Sequence, residues 1–122
     1  MTNLQTAVSL HLDMLPPTIN HQYIQLRNGG KALTPEVNDF RKRVALAVRG
    51  LQMAPNEDLC CTVVVTFGTK RRQDIDNRLK SLGDALALAL GFDDSRITLW
   101  IAESVRGKAD GIDVTLEVRD DQ

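Results

Sequence analysis

The sequence has few residues suited to disulfides, soft metals or a membrane. Its two cysteines, Cys60 and Cys61, are adjacent. Because neighbours in an extended strand point to opposite faces, we expect both to stay reduced. His11 and His21 stand alone, so no zinc-ligand spacing is present. No apolar run approaches the roughly 20 residues of a membrane span, and the first residues do not resemble a secretory signal. These absences predict a reducing compartment, the cytoplasm, and no membrane partner.

An excess of positive charge is also lacking. The 122 residues carry 15 Lys plus Arg against 16 Asp plus Glu, a formal charge of −1, and 43% of them are apolar. That length predicts a single domain over residues 1–122. The charge balance alone argues against a nucleic-acid partner. No GxxxxGK[ST] motif is present, so nucleoside triphosphate hydrolysis is not indicated.

Hydrophobic periodicity predicts the order β-α-β-α-β-β. Apolar residues alternate with polar ones in the first and last predicted strands. Thr34-Pro35-Glu36 is typical of a helix start, and Gly91 is typical of a helix end. The fold class is therefore α+β, with a mixed sheet of about four strands packed with two main helices. The predicted strands are 6–14, 59–68, 96–105 and 111–119, the helices begin at 34 and 75, a long loop covers about 16–34, and 106–111 is a hairpin connection.

Two apolar stripes predict the helix faces that pack into the core. Each stripe follows the three- and four-residue spacing of a helix. The stripes are Val37, Phe40, Val44, Ala47, Val48 and Leu51 in the first helix, and Ile75, Leu79, Leu82, Leu86 and Leu90 in the second.

The stretch 70–94 carries the residues with the clearest chemistry. Asp74 and Asp76 lie where the second predicted strand leads into a helix, and Asp76, Lys80 and Asp84 share one polar helix face. One interpretation is structural, because Asp favours a helix start and an Asp–Lys pair at this spacing contributes about 0.3–0.5 kcal/mol. The other is a site for Mg²⁺, which prefers carboxylate and phosphate oxygens, with a lysine to stabilise charge on a phosphate.

The spacing of these residues is similar to that of a known family. Asp74-x-Asp76-Asn77-x-x-Lys80-x-x-x-Asp84 is followed by Gly91-Phe92 and Asp93-Asp94, and Pro16-Pro17-Thr18-x-Asn20-x-x-Tyr23 lies upstream. This combination resembles the RusA family of Holliday junction resolvases, the crossover-junction endodeoxyribonucleases of bacteria and their phages. The resemblance covers nearly the whole chain. It implies a Mg²⁺-dependent homodimer, with Mn²⁺ as a plausible substitute, that resolves four-way DNA junctions by paired symmetric nicks in recombination and repair.

The resemblance also implies roles for individual residues. Asp74, Asp76 and Asp94 match the family's catalytic, metal-binding aspartates, and Lys80 matches its catalytic lysine. The residues that could support them are Asn77, Asp84 and Asp93.

Contact with DNA is expected from two cationic stretches and the long loop. Residues 27–49 hold six cations against two acids, and residues 70–80 hold five against two. The plainer interpretation is a solvated basic surface. Tyr23 could stack on an unpaired base or pack at the base of the loop, and Trp100 is expected in the core or a subunit interface. The residues expected to contact DNA are Asn20, Tyr23, Arg27, Lys31, Arg41, Lys42, Arg43, Lys70, Arg71 and Arg72.

Helix length raises a question about Asp94. A helix rises about 1.5 Å per residue, so a helix to residue 90 would place Asp94 over roughly 20 Å from Asp76. Asp94 could join Asp74 and Asp76 if the helix is short and the loop after it folds over. The simpler hypothesis at this stage is that Asp94 comes from the other subunit of a two-fold dimer, which would make the active sites shared.

Two alternatives from other classes are a catalytically inactive junction- or DNA-binding protein that retains the fold, and a metal-binding structural or interaction module. Both are disfavoured because Asp74, Asp76, Lys80 and Asp94 are all present. A protein that only binds DNA would gain affinity by losing acids beside phosphate.

Overall fold

The computed structural model describes residues 3–18, 23–68 and 75–120. Two helices and eight strands lie within these ranges, together with a 3₁₀ turn at Asp94–Arg96. The helices are α1 (Pro35–Ala47) and α2 (Asp76–Leu90). The strands are β1 (Asn3–Gln5), β2 (Ala7–Leu12), β3 (Tyr23–Gln25), β4 (Lys31–Leu33), β5 (Leu51–Met53), β6 (Leu59–Phe67), β7 (Ile97–Arg106) and β8 (Gly111–Val118).

The central sheet has four strands in the order β2-β8-β6-β7. Strands β6 and β7 are parallel and are joined through α2, whereas β8 is antiparallel to both β2 and β6. The sheet is therefore mixed and the class α+β, as predicted. The crossover through α2 matters for the site, because the chain enters the helix from one end of β6 and returns to the sheet at the other.

The predicted hairpin at 106–111 is wrong. Strand β8 pairs with β2 and β6, on the side of β6 opposite β7, so the connection crosses the end of β6. Gly107 donates its N–H to the carbonyl of Phe67 (3.0 Å), and Gly68 donates to the Asp110 carboxylate (2.8 Å). A Cβ at Gly68 would lie 2.8 Å from the Cα of Ala109, so the crossing requires glycine there. A short Gly-containing connection is compatible with a hairpin or with this crossing, and the sequence pattern does not separate them.

The core lies on one face of the sheet, where α1 and α2 pack against each other and against the strands. In α2 the buried apolar residues include Leu82, Leu86 and Leu90, with Ile75 and Leu79 partly buried at its start. In α1 the buried members of the predicted stripe are Val37, Phe40 and Val44, whereas Ala47 is exposed and Val48 is buried just after the last helical residue. The placement of Leu51 in this helix is wrong, because Gly50 turns the chain with φ 80° and Leu51 begins β5. Buried residues alternate along β2, β6 and β8 as expected, and they include Val8, Leu10, Cys61, Val63, Val65, Phe67, Ile112, Val114 and Leu116. The start of β6 departs from this alternation, because Leu59 and Cys60 are buried as well.

The helix ends follow the predicted signals only in part. Thr34 occupies the N-cap position of α1 and Pro35 begins the helix, but the Thr34 hydroxyl makes no capping hydrogen bond. Gly91 ends α2 in the left-handed conformation with φ 73°, as its position predicts. Its N–H bonds to the carbonyl of Ala87 at 2.9 Å.

Four short strands were not predicted. Strands β1 and β5 form a parallel pair, and β3 and β4 form a hairpin inside the segment expected to be an irregular loop. Gly29, with φ 85°, and the Asn28 carboxamide, which accepts a hydrogen bond from the N–H of Gly30 at 2.9 Å, form the hairpin turn. Three-residue strands are too short for alternation to be recognised.

Both cysteines are free and buried, in agreement with the prediction that they are reduced strand residues. Burial, with a smaller effect of Cys60, raises the pKa of the Cys61 thiol to about 12, so this thiol stays protonated and inert. Within the described ranges, no helix is long and apolar enough to cross a membrane.

His11 lies on the uncovered face of the sheet between two carboxylates. Its Nδ1 is 2.8 Å from Asp113 Oδ1 and its Nε2 is 2.8 Å from Asp13 Oδ1. The hydrogen bond to Asp13, and then that to Asp113, raise the pKa of His11 above 6.5. Both ring nitrogens donate only when the imidazole is protonated.

This arrangement predicts a pH-dependent contribution to stability. The stabilisation is complete below the unfolded-state pKa of 6.5 and is lost as pH rises through the higher folded-state pKa. We therefore expect His11→Gln to lower the Tm more at about pH 5.5 than at about pH 8.5. Thermal unfolding of both proteins across this range measures the difference. A Tm difference that grows with pH would contradict the prediction.

Candidate active site

The start of α2 presents one of the predicted catalytic carboxylates. Asp76 is the first residue of the helix and is exposed. A carboxylate at this position interacts favourably with the positive end of the helix dipole. Arg78, two residues later, donates from Nη1 to the carbonyl oxygen of Pro16 at 2.7 Å. This bond ties the helix start to the proline-containing segment after β2. Asp74 lies outside the described residues.

The chain reverses direction after α2 and brings Asp94 back along the helix. Gly91 makes the left-handed turn, and the Asp93 carboxylate caps the 3₁₀ turn by accepting a hydrogen bond from the N–H of Ser95 at 3.0 Å. Arg96 fixes the other side of this turn. Its guanidinium donates to the carbonyls of Glu57 and Ala54, both at 2.7 Å. Asp93 therefore supports the turn that positions its neighbour.

Lys80 lies between two carboxylates. Its Nζ is 3.1 Å from Asp84 Oδ1 and 3.0 Å from Asp94 Oδ2. The Asp84 contact is the spacing of four residues that places two side chains on one helix face, as predicted. The Asp94 contact joins α2 to the 3₁₀ turn. The three side chains form one ion-pair cluster, Asp84–Lys80–Asp94.

The expectation that Asp94 lies at the far end of α2 is wrong. Lys80 is one helical turn from Asp76, and Asp94 of the same chain reaches it. The helix-length argument placed Asp94 beyond the far end of the helix, whereas the Gly91 turn and the Arg96 contacts bring it back beside Lys80. The hypothesis that Asp94 acts in the other subunit's site loses its geometric basis. One chain brings Asp94 and Lys80 together.

The contact between Lys80 and Asp94 favours the charged form of both groups. The hydrogen bond to Asp94, then that to Asp84, raise the pKa of Lys80 above its usual value, so the ammonium stays protonated. The hydrogen bond from Lys80 is also the main cause that lowers the pKa of Asp94. Lys80 is thus a fixed positive charge in this structure and not a base.

A cleft of about 270 Å³ opens beside the cluster. Asp94 is 39% exposed and Lys80 58%, so both can meet a large ligand, whereas Asp84 is 21% exposed and lies deeper. Sequence reasoning missed this cleft, and Trp100, expected in the core or an interface, is only partly buried at its wall. The sequence feature that could have indicated the cleft is Gly83, a glycine in the interior of α2. The cleft is lined by Leu79, Lys80, Gly83, Asp94, Ser95 and Trp100.

The predicted DNA-contact residues fall into three groups. Tyr23, Arg27 and Lys31 are exposed on the β3–β4 hairpin, with Tyr23 at 55% exposure. On α1, Lys42 is exposed, Arg41 is partly buried, and Arg43 donates to the Asp39 carboxylate at 3.0 Å, which offsets part of its charge. Asn20, Lys70, Arg71 and Arg72 lie outside the described residues.

Comparison with known protein families identifies the family to which this chain belongs. The sequence model of the endodeoxyribonuclease RusA family matches residues 14–117, most of the chain. The protein therefore belongs to this family of DNA endonucleases, as the sequence resemblance implied. A search among curated proteins gave no match.

Proposed function

We propose that the protein is a Mg²⁺-dependent endonuclease that resolves four-way DNA junctions by paired symmetric nicks. The supporting observation is the Asp84–Lys80–Asp94 cluster in a chain of an endodeoxyribonuclease family, with Lys80 one helical turn from Asp76. The cluster borders an open cleft, and its exposed members carry the charges that phosphodiester hydrolysis requires.

The donor chemistry fits a hard divalent cation, with Mn²⁺ as a substitute. Asp74, Asp76 and Asp94 would hold it, since carboxylate oxygens are the ligands that Mg²⁺ prefers. Within residues 3–18, 23–68 and 75–120, no three such side chains group closely enough for a metal site; the proposed set includes Asp74, which is outside these ranges. When bound, the cation would neutralise phosphate charge and lower the pKa of a bound water.

The protein's own residues then have separate tasks. Lys80 places a positive point charge where negative charge develops on the phosphate or on the departing 3′-oxygen. Asp84 is a positioning residue, because it holds the Lys80 ammonium from the buried side at 3.1 Å. Asp93 fixes the turn that carries Asp94. Asn77, partly buried at the start of α2, is a further supporting residue.

Paired nicks require two active centres related by symmetry. A homodimer with a two-fold axis would match the symmetry of a four-way junction, and one complete site per chain would place one centre on each opposed strand. An inactive junction-binding protein is less consistent with the site. The carboxylates of Asp76, which is exposed, and Asp94, which is partly exposed, would repel phosphates without contributing to binding.

Mapping the cuts tests this function. A synthetic four-way junction with each strand labelled in turn is incubated with the full-length protein and Mg²⁺. We expect nicks at the same position in two opposed strands, leaving ends that DNA ligase rejoins. Cuts in all four strands, or at unrelated positions, would contradict paired resolution.

Asp84→Asn tests the positioning role. We expect the turnover number to fall by about tenfold, with little change in junction Kd. Loss of a residue that orients a catalytic group typically costs about 10- to 100-fold in activity, and this expectation is at the lower end of that range. Asp84→Glu should recover part of the loss, because it restores a carboxylate within reach of Lys80. Single-turnover cleavage and junction titration separate the two effects.

The matched control is Asp39→Asn. It removes another helical carboxylate that pairs with a basic residue four positions later, here Arg43 on α1. The turnover number of this variant should stay near that of the unmodified protein. If Asp84→Asn were no slower than Asp39→Asn, Asp84 would have no positioning role.

A further inference from the structure

The cleft beside the Asp84–Lys80–Asp94 cluster has two unlike sides. Lys80, Asp94 and Ser95 form a polar rim, whereas Leu79 and Trp100 form an apolar wall. Charge stabilisation at a phosphate uses only the rim, and the aromatic wall has no part in it. Its volume of about 270 Å³ is at the small end for ligand sites, which suits one flat ring system better than a whole nucleotide.

The packing of Trp100 against α2 depends on Gly83. A Cβ at Gly83 would lie 3.2 Å from Trp100 Cζ2, which is closer than ordinary contact, and 3.5 Å from Cη2, which is ordinary contact. Glycine in a helix interior costs about 1 kcal/mol relative to alanine. Here it lets the indole lie directly against the helix backbone, with Leu79 one turn away on the same face. Gly83, although unfavourable for the helix itself, therefore makes room for the indole of Trp100.

We propose that this cleft receives one nucleobase next to the scissile phosphate, stacked on or against the indole of Trp100. The inference rests on the proposed nuclease function and adds a base-binding subsite to it. In the proposed function the phosphate lies at Lys80 and Asp94, which line the same cleft as Leu79 and Trp100. A base attached to that phosphate's nucleotide is the nearest flat, apolar part of the substrate. Base–aromatic stacking is a common, sequence-tolerant contact in proteins that bind unpaired strands.

The subsite would favour branched DNA over linear duplex. In a continuous duplex each base is stacked and paired, and taking one out costs a few kcal/mol. At a branch point the stack is already interrupted, so a base there enters the cleft at lower cost. The cleft would then contribute to cleavage only where the duplex is broken.

The first test uses Trp100 as a reporter, since it is the only tryptophan in the chain. The full-length protein is titrated with a four-way junction in EDTA, which prevents cleavage, after the cut position has been mapped. We expect quenching of the tryptophan fluorescence by the intact junction. Junctions with an abasic nucleotide on one side of the mapped cut should lose most of this quenching. An abasic nucleotide remote from the branch point is the control and should leave it unchanged.

Two fluorescence results would overturn the proposal. One is equal quenching by the intact junction and by the junctions that carry an abasic nucleotide on either side of the mapped cut. The other is a tryptophan fluorescence that changes with protein concentration but not on addition of DNA, which would place Trp100 in a subunit interface.

The second test compares variants on the same substrates. Trp100→Leu should lower kcat/KM on the intact junction by about tenfold or more, the usual cost of losing one base–aromatic contact. Trp100→Phe should keep most of the activity, because a ring remains. On the abasic junction, Trp100→Leu and the unmodified protein should cleave at similar rates. An equal loss on both substrates would show that Trp100 serves packing alone, and would overturn the subsite.

These outcomes separate the subsite from the function on which it rests. If the unmodified protein cleaves no junction, the nuclease proposal fails. If it cleaves intact and abasic junctions at equal rates, only the base-binding cleft fails.

Discussion

Asp94→Asn is expected to lower the rate of junction cleavage by more than about 100-fold. Replacing a residue that only supports a metal ligand typically costs about 10- to 100-fold, so a larger loss indicates a direct role. The substitution removes the charge that faces Lys80 at 3.0 Å and one of the three carboxylates proposed to hold the cation. Junction Kd should stay the same or improve, because a carboxylate that repels phosphate has gone. Single-turnover cleavage and a binding titration measure the two quantities.

The neighbouring aspartate provides the control for Asp94. Asp93→Asn should keep most of the activity, because an asparagine oxygen can still accept the hydrogen bond from the N–H of Ser95. Both variants should fold, since exposed ion pairs contribute at most about 1 kcal/mol to stability. If Asp93→Asn lost as much activity as Asp94→Asn, the assignment of the second acid of the pair would be wrong.

Lys80→Met should lower the cleavage rate by about 100-fold or more, the typical cost of removing one positioned group that stabilises transition-state charge. It also leaves Asp84 and Asp94 without the cation that they share. We expect the loss in kcat and not in junction Kd, because one charge among many cations contributes little to overall affinity. Cleavage rates measured at saturating protein give this comparison.

The control for Lys80 is Lys42→Met, on the exposed face of α1. If Lys42 contacts DNA as predicted, its loss should weaken binding and reduce the salt dependence of Kd, with kcat unchanged at saturation. The two lysines would then differ in which parameter they affect. A Lys80→Met variant that weakened binding alone would contradict the catalytic role of Lys80.

The sequence predicted those parts of the fold that periodicity and helix-end signals determine. The two helices, the four strands of the central sheet and the Gly91 helix end are confirmed. Strand order was not predictable, because nothing in the pattern of residues 106–111 separates a hairpin from a crossing over Gly68. The short β1–β5 and β3–β4 pairs are held by a few backbone hydrogen bonds, which leave little trace in the sequence.

The candidate site was predictable in composition but not in arrangement. The Lys80–Asp84 contact follows from helical spacing, and the structure confirms it. The Lys80–Asp94 contact depends on a chain reversal fixed by Arg96 bonding to two backbone carbonyls, Ala54 and Glu57. Such bonds depend on tertiary structure and have no sequence pattern. The cleft wall at Trp100 likewise depends on Gly83, whose contact with β7 appears only once the sheet is formed.

The near-neutral charge of the chain agrees with this arrangement of the site. A charge of −1 combines basic surfaces on the β3–β4 hairpin and α1 with acidic residues around the cleft. We expect DNA to be held less by overall attraction than by a few placed cations. The carboxylates near the cleft repel the DNA phosphates unless a bound cation neutralises their charge.

The most direct test of the proposed function is the rate at which the full-length protein nicks a four-way junction and a linear duplex of the same sequence, each with and without Mg²⁺. We predict cleavage of the junction with Mg²⁺, little cleavage of the duplex, and none without the metal, with Asp94→Asn inactive throughout. Equal cleavage of junction and duplex, or cleavage by Asp94→Asn at the unmodified rate, would contradict it.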